Sequence, residues 1–176
     1  MGIVLVSCEG EVLPKPKGFL RLEYPEQSYQ KVLSGCPYTL EISQLSMIDF
    51  ENNCWAKINY PALDASIHLT YRRVNNDLED VLKEVDRLTF EHAIKADRID
   101  KSALYENKEK RVFGEIVNVE GDVASNIQFH VTDSIHNVLY GSLYFNVKPN
   151  YDSIYPAIRY IEKDIANLIE HVEWKD

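Results

Sequence analysis

Several signatures are missing from this chain, and each absence excludes a class of function. Glycine occurs 7 times in 176 residues. No glycine-rich turn joins a strand to a helix, so neither a P-loop nor a dinucleotide fingerprint is present. There is no Cys-x-x-Cys pair, no zinc-protease helix and no nucleophile elbow. No apolar run approaches the roughly 18 residues of a spanning helix. Positive charge is also scarce, with 19 basic against 28 acidic side chains and a net charge of −9. No basic stripe runs along any segment, which argues against nucleic acid as a partner.

What remains is a folded chain of one domain's length. Apolar residues make up 45% and charged residues 27%, a balance that supports a packed core and argues against disorder. Tyrosine outnumbers phenylalanine 11 to 6, which favours half-buried strands and contact surfaces, where a ring can pack while its hydroxyl stays wet.

The N-terminus reads as an export signal. Met1-Gly2-Ile3-Val4-Leu5-Val6-Ser7 is apolar and ends at Cys8, and Leu5-Val6-Ser7-Cys8 fits a bacterial lipobox. Residues 1–8 therefore read as the remnant of a lipoprotein signal peptide without its basic start, with Cys8 as the lipidation site. The alternative is a buried N-terminal strand with a free thiol. N-myristoylation is rejected because Val6 stands where Ser or Thr is needed. With Cys8 lipidated, Cys36 and Cys54 remain as an even pair, suited to a disulfide in an oxidising compartment. Two buried reduced thiols are the other reading. Residues 9–18 contain Pro14-Lys15-Pro16-Lys17 and read as an extended tether. Residues 19–176 read as a single globular domain.

Within that domain Phe19-Leu20-Arg21-Leu22-Glu23-Tyr24 alternates apolar and polar residues up to Pro25 and predicts a strand. A polar connection over 26–34 follows. Strands are then expected at 38–42, 45–50, 54–60 and 65–71, forming an antiparallel meander. A first helix opens at Asn75-Asn76-Asp77, where Asn76 with Glu79 resembles a capping box. Its apolar stripe comprises Leu78, Val81, Leu82, Val85, Leu88, His92, Ala96 and Ile99. Residues 100–110 read as a charged loop, and strands follow at 111–119, 125–132 and 138–147.

The stretch 141–153 reads as strand, Pro-Asn turn and helix start. A second helix begins at Asp152 or Ser153, with Pro156 in its first turn. Ile154, Ala157, Ile158, Ile161, Ile165, Leu168, Ile169 and Val172 form its stripe. The fold class is α/β (α+β): a mainly antiparallel sheet of about six to seven strands with two long helices packed against it.

Residue chemistry points to no catalytic residue and no cofactor. His92 sits on the first helix's stripe, as a base facing a pocket or as a histidine bonded at the core edge. His130, Asp133 and His136 gather near a strand end and with His68 offer transition-metal ligands, but no metal is expected. His171 is expected on the solvent side, near the C-terminus of the last helix. Tyr144, Tyr151 and Tyr155, with Tyr160, surround the turn before the second helix. They read as a contact surface, as a ligand groove or as sheet packing.

Several segments together resemble the gliding motility lipoprotein family of Bacteroidetes called GldD. They include Cys8; Val12-Leu13-Pro14-Lys15-Pro16-Lys17 through Tyr24-Pro25; Cys36-Pro37-Tyr38; Asn53-Cys54; Tyr60-Pro61; Glu91-His92; and Val131-Thr132-Asp133-Ser134. The densest is Gly141-Ser142-Leu143-Tyr144-Phe145 with Lys148-Pro149-Asn150-Tyr151-Asp152-Ser153-Ile154, and Trp174-Lys175 closes the match. The resemblance implies a non-enzymatic envelope lipoprotein, lipid-anchored through Cys8 and facing the periplasm. It further implies association with the gliding and type IX secretion machinery, and with the lipobox, the tether and the cysteine pair it points to an assembly or scaffolding role beside other envelope proteins. A periplasmic small-ligand-binding module and a metal-dependent enzyme are the alternatives. Asp133-Ser134-Ile135 and Asp152-Ser153-Ile154 match the O-glycosylation pattern of Bacteroidetes, though Asp152-Ser153 also suits a helix cap. The strand-helix order resembles the Mog1/PsbP-type α/β/α sandwich.

Overall fold

The computed structural model describes residues 24–92, 96–147 and 150–175, except for the side chain of His92. Cys8, the 9–18 tether, residues 19–23 of the first expected strand and Lys148-Pro149 lie outside the described residues.

In chain order the strands are β1 (Tyr29–Val32), β2 (Tyr38–Ser43), β3 (Met47–Phe50), β4 (Ala56–Tyr60) and β5 (Ala65–Arg73). Helix α1 (Leu78–His92) is followed by β6 (Arg98–Asn107), β7 (Val112–Glu120), β8 (Ser125–Thr132) and β9 (Asn137–Phe145). Helix α2 (Tyr151–His171) and β10 (Glu173–Trp174) close the fold. Seven strands pair in the order β3-β4-β5-β9-β8-β7-β6, and a second sheet has the order β1-β2-β10. Every pairing is antiparallel. No described helix is long and apolar enough to cross a membrane.

Alternation assigns the two faces of the large sheet. Register sets Ile58 beside Ile67, Ile67 beside Leu143 and Leu143 beside Ile127, so these apolar side chains share one face. That face is covered by α2 and β2 lying side by side, and Ile161, Ile165, Leu168 and Ile169 join Tyr38, Leu40 and Ile42 in a single core cluster. Burying each such aliphatic side chain contributes about 1.5–3 kcal/mol. Gly141 is required here because a Cβ would lie 2.6 Å from Phe129 Cζ and 2.8 Å from Leu69 Cδ2. At Gly114 a Cβ would lie 2.8 Å from the His130 carbonyl oxygen and 2.9 Å from Ile169 Cγ2 of α2.

The opposite face carries α1, held by Val81 and Leu78 against Val74, Val138 and Tyr140. Of the expected stripe, Ala96 and Ile99 lie outside helix α1. Ala96 packs on Val117, Val119 and Val123, and Ile99 belongs to β6. The cap is Asp77 rather than Asn76, which has a left-handed φ of 64°. The Asp77 carbonyl accepts the Val81 N–H at 3.0 Å, and its Oδ1 accepts the Asn75 N–H at 2.7 Å.

Other expectations shift as well. Residues 98–107 are a strand and not a charged loop, because β6 is a sheet edge whose bulge between Lys101 and Ala103 breaks the alternation. The polar connection over 26–34 contains β1, which pairs with β2. Helix α2 begins at Tyr151, which moves Pro156 beyond the first turn. Its N-terminus is capped from another part of the chain, as Asp122 Oδ1 accepts the Tyr151 N–H at 2.8 Å.

One core residue has no counterpart in the sequence pattern. Asp164 is 3% exposed on α2, and neither of its oxygens reaches a hydrogen-bond partner. Burial pushes its carboxyl above the ordinary range, and the nearby hydroxyls of Tyr60, Tyr29 and Ser43 only partly offset this.

Candidate functional site

Helix α1 touches only part of the face it covers, and the uncovered part becomes a groove. Its buried residues Val81 and Val85 lie on the side of β8 and β9. There Gln128 Nε2 donates to the Thr89 carbonyl at 3.5 Å. Further along the sheet, the outward side chains of β4 and β5 are Lys57, Ser66, His68 and Thr70, which offer α1 no apolar surface. The result is a cavity of about 720 Å³, floored by these residues with Ser142 and Tyr144, and walled by Val85, Leu88 and Thr89 of α1. Apolar walls with a few convergent polar groups are the ordinary make-up of a ligand groove.

His68 is the most chemically versatile group on its floor. Ser66 Oγ lies 3.3 Å from its Nε2, and its ring meets Tyr144 edge-on at 5.2 Å. Burial lowers the imidazole pKa, Lys57 lowers it further, and Glu51 acts in the opposite direction. At neutral pH the ring is therefore uncharged, able to exchange hydrogen bonds with a polar ligand. Ser66 and His68 do not make up a nucleophilic triad, because among the described residues no carboxylate hydrogen-bonds the imidazole.

The three tyrosines expected to share a surface are divided by the sheet. Tyr144 lies in the groove on the α1 face. Tyr151 and Tyr155, on the α2 face, pack together at 5.5 Å and border a separate cavity of about 300 Å³ with Lys101, Asn118 and Arg159. Tyr155 is 42% exposed. The Tyr151 hydroxyl is pushed up to about 12, first by burial and then by Glu120. Sequence proximity suggested one patch, whereas the strand-to-helix reversal produces two.

The histidines do not converge either. No group of three or more His, Cys, Asp or Glu among the described residues is placed to hold a metal. Asp133 is committed to its own turn: Oδ1 accepts N–H bonds from Ile135, His136 and Asn137 at 2.7–2.9 Å, and Oδ2 accepts from Asn137 Nδ2 at 2.8 Å. His171 stands on the solvent side near the end of α2, as expected, with Nδ1 2.9 Å from the Asn167 carbonyl. Ser134 and Ser153 of the two Asp-Ser-Ile segments are both exposed. His92 closes α1, and its side chain lies outside the described residues.

Cys36 and Cys54 do come together. Their sulfurs are 2.27 Å apart and their Cα atoms 5.5 Å apart, linking the turn before β2 to the turn before β4. Beside them the Tyr38 hydroxyl donates to the Cys54 carbonyl at 2.6 Å. Among the described residues no backbone ladder joins the two sheets, and the cysteine pair connects the segments that lead into one strand of each.

No curated protein matches the chain. The family model described as gliding motility lipoprotein GldD matches residues 9–174. That span takes in both sheets, both helices and the cysteine pair, and the chain belongs to the GldD family of gliding motility lipoproteins.

Proposed function

We propose that this protein is a non-enzymatic assembly or scaffolding lipoprotein of the gliding and type IX secretion machinery, anchored through a lipid on Cys8 and facing the periplasm. The observation that carries this reading is the family match over residues 9–174. The proximity of Cys36 and Cys54 supports it, since a bridge there suits an oxidising compartment. Pro14-Lys15-Pro16-Lys17 acts as a semi-rigid spacer between the lipid and the folded domain. Exposed Tyr155, with half-buried Tyr151 packed beside it, provides an aromatic contact for another envelope protein.

In full-length protein, Cys8→Ala is expected to move the chain from the membrane fraction to the soluble fraction. Continued membrane retention contradicts the lipid anchor. A pull-down from native membranes tests the scaffolding role, and Tyr151→Ala with Tyr155→Ala is expected to weaken partner recovery.

The groove beneath α1 favours a second reading, a small-ligand carrier. Under it, extraction of the purified protein yields a small molecule by mass spectrometry. Ser142→Trp, which fills the floor, then loses that molecule. Wild-type protein that yields none removes the reading.

A further inference from the structure

The chain has a net charge of −9, yet four cations converge on one concavity. Arg73 comes from the end of β5, Lys110 and Arg111 from the β6–β7 turn, and Lys175 from the residue after β10. They surround a cavity of about 210 Å³ with Trp174 on its wall. Among the described residues its one carboxylate is Asp133, already engaged by the turn's N–H groups and 4.0 Å from Arg111 Nη2. Among the described residues, Arg73, Lys110 and Lys175 are in no ion pair. Glu173 lies near enough to feel Lys110, but its carboxylate is taken by Lys31 at 2.6 Å.

The fold brings these residues together, and side-chain hydrogen bonds fix two of them, Arg111 and Lys175. Arg73 stands opposite Asn137 in the β5–β9 ladder, and Asn137 is bonded to Asp133. Arg111 Nη2 donates to the Asp133 carbonyl at 3.1 Å, while the Arg111 carbonyl accepts Trp174 Nε1–H at 3.0 Å. The Lys175 backbone N–H donates to the Pro37 carbonyl at 2.9 Å, and its Nζ donates to the Ser34 carbonyl at 2.6 Å. Assembling like charges around a concavity raises the free energy of the protein unless an anion offsets it. Two guanidinium groups with two ammonium groups match the several oxygens of a phosphate.

We propose that this cavity binds a phosphate group, either free or carried by a lipid headgroup. The proposal does not depend on the family reading and stands or falls separately from it. The test uses the full chain with Cys8→Ser, so that lipidation does not obscure binding. Calorimetry at low ionic strength measures affinity for inorganic phosphate, and co-sedimentation compares phosphatidylglycerol vesicles with phosphatidylcholine vesicles. Arg73→Gln with Lys110→Gln is expected to weaken binding by roughly tenfold or more, with an unchanged melting temperature. Lys83→Gln, an exposed lysine on α1, is expected to leave it unaltered. Phosphate binding without vesicle binding assigns the free ion, and vesicle binding lost in the double variant assigns the headgroup. The proposal is overturned if neither probe binds, or if the double variant binds as the wild type does.

Discussion

Replacing Asp133 with alanine is expected to lower the unfolding free energy by about 3 kcal/mol. The side chain is 5% exposed and organises the whole β8–β9 turn through three backbone N–H groups and one amide. Ile135 and His136 are exposed, so water replaces their lost partner at little cost. Asn137 is buried, and its N–H and side-chain amide are left without an acceptor, which is where most of the penalty arises. Asp133→Asn is expected to cost less, since an amide oxygen still accepts from the backbone while its NH2 faces the Asn137 amide. Urea unfolding of the three proteins measures the order.

The same residue predicts a pH dependence. Burial raises the Asp133 carboxyl, but the hydrogen bonds from Asn137, Ile135 and His136 outweigh it, and the folded value lies below the ordinary 3.8. The folded state therefore holds fewer protons than the unfolded state in this window. The stabilisation is fully present above pH 3.8 and is lost as pH falls through the lower folded value. Asp133→Asn removes this part of the acid slope, and the difference between the two stability curves below about pH 4 measures it. An identical slope in both proteins would rule out Asp133 as a source.

Reduction of the bridge proposed between Cys36 and Cys54, or Cys36→Ser with Cys54→Ser, has an expected effect of similar size. The cysteines are 18 residues apart. Closing a loop of this length stabilises by about 3 kcal/mol through the entropy of the unfolded chain. For a domain of this size that corresponds to a melting temperature lower by roughly 6–12 °C. Intact mass under non-reducing conditions should be lighter by two hydrogen atoms than after reduction. Two thiols alkylated without reductant would show that the bridge does not form.

Legibility in the sequence followed how locally each feature is specified. The stripe of α2 from Ala157 to Val172 is buried as its spacing predicts, because one face of a helix is defined by neighbours three and four residues away. Strands β5, β8 and β9 were equally readable from their alternation. Strand β6 was not, since an edge with exposed Leu104 and a bulge at Lys101 needs little apolar periodicity. Strands β1 and β10 are too short, and too polar on their open sides, to stand out.

Taken alone, the sequence determined the fold class, the second helix, most of the large sheet and the family resemblance. These depend on short-range periodicity and on contiguous segments. Only the tertiary structure decided that Tyr144 is separated from Tyr151 and Tyr155, that Asp122 caps α2, and that α1 leaves a groove over β4 and β5. It also assembled Arg73, Lys110, Arg111 and Lys175 around one cavity, although no segment of the chain is a basic stripe. Such convergence is set by where distant strands reverse and pair, and local spacing does not encode it.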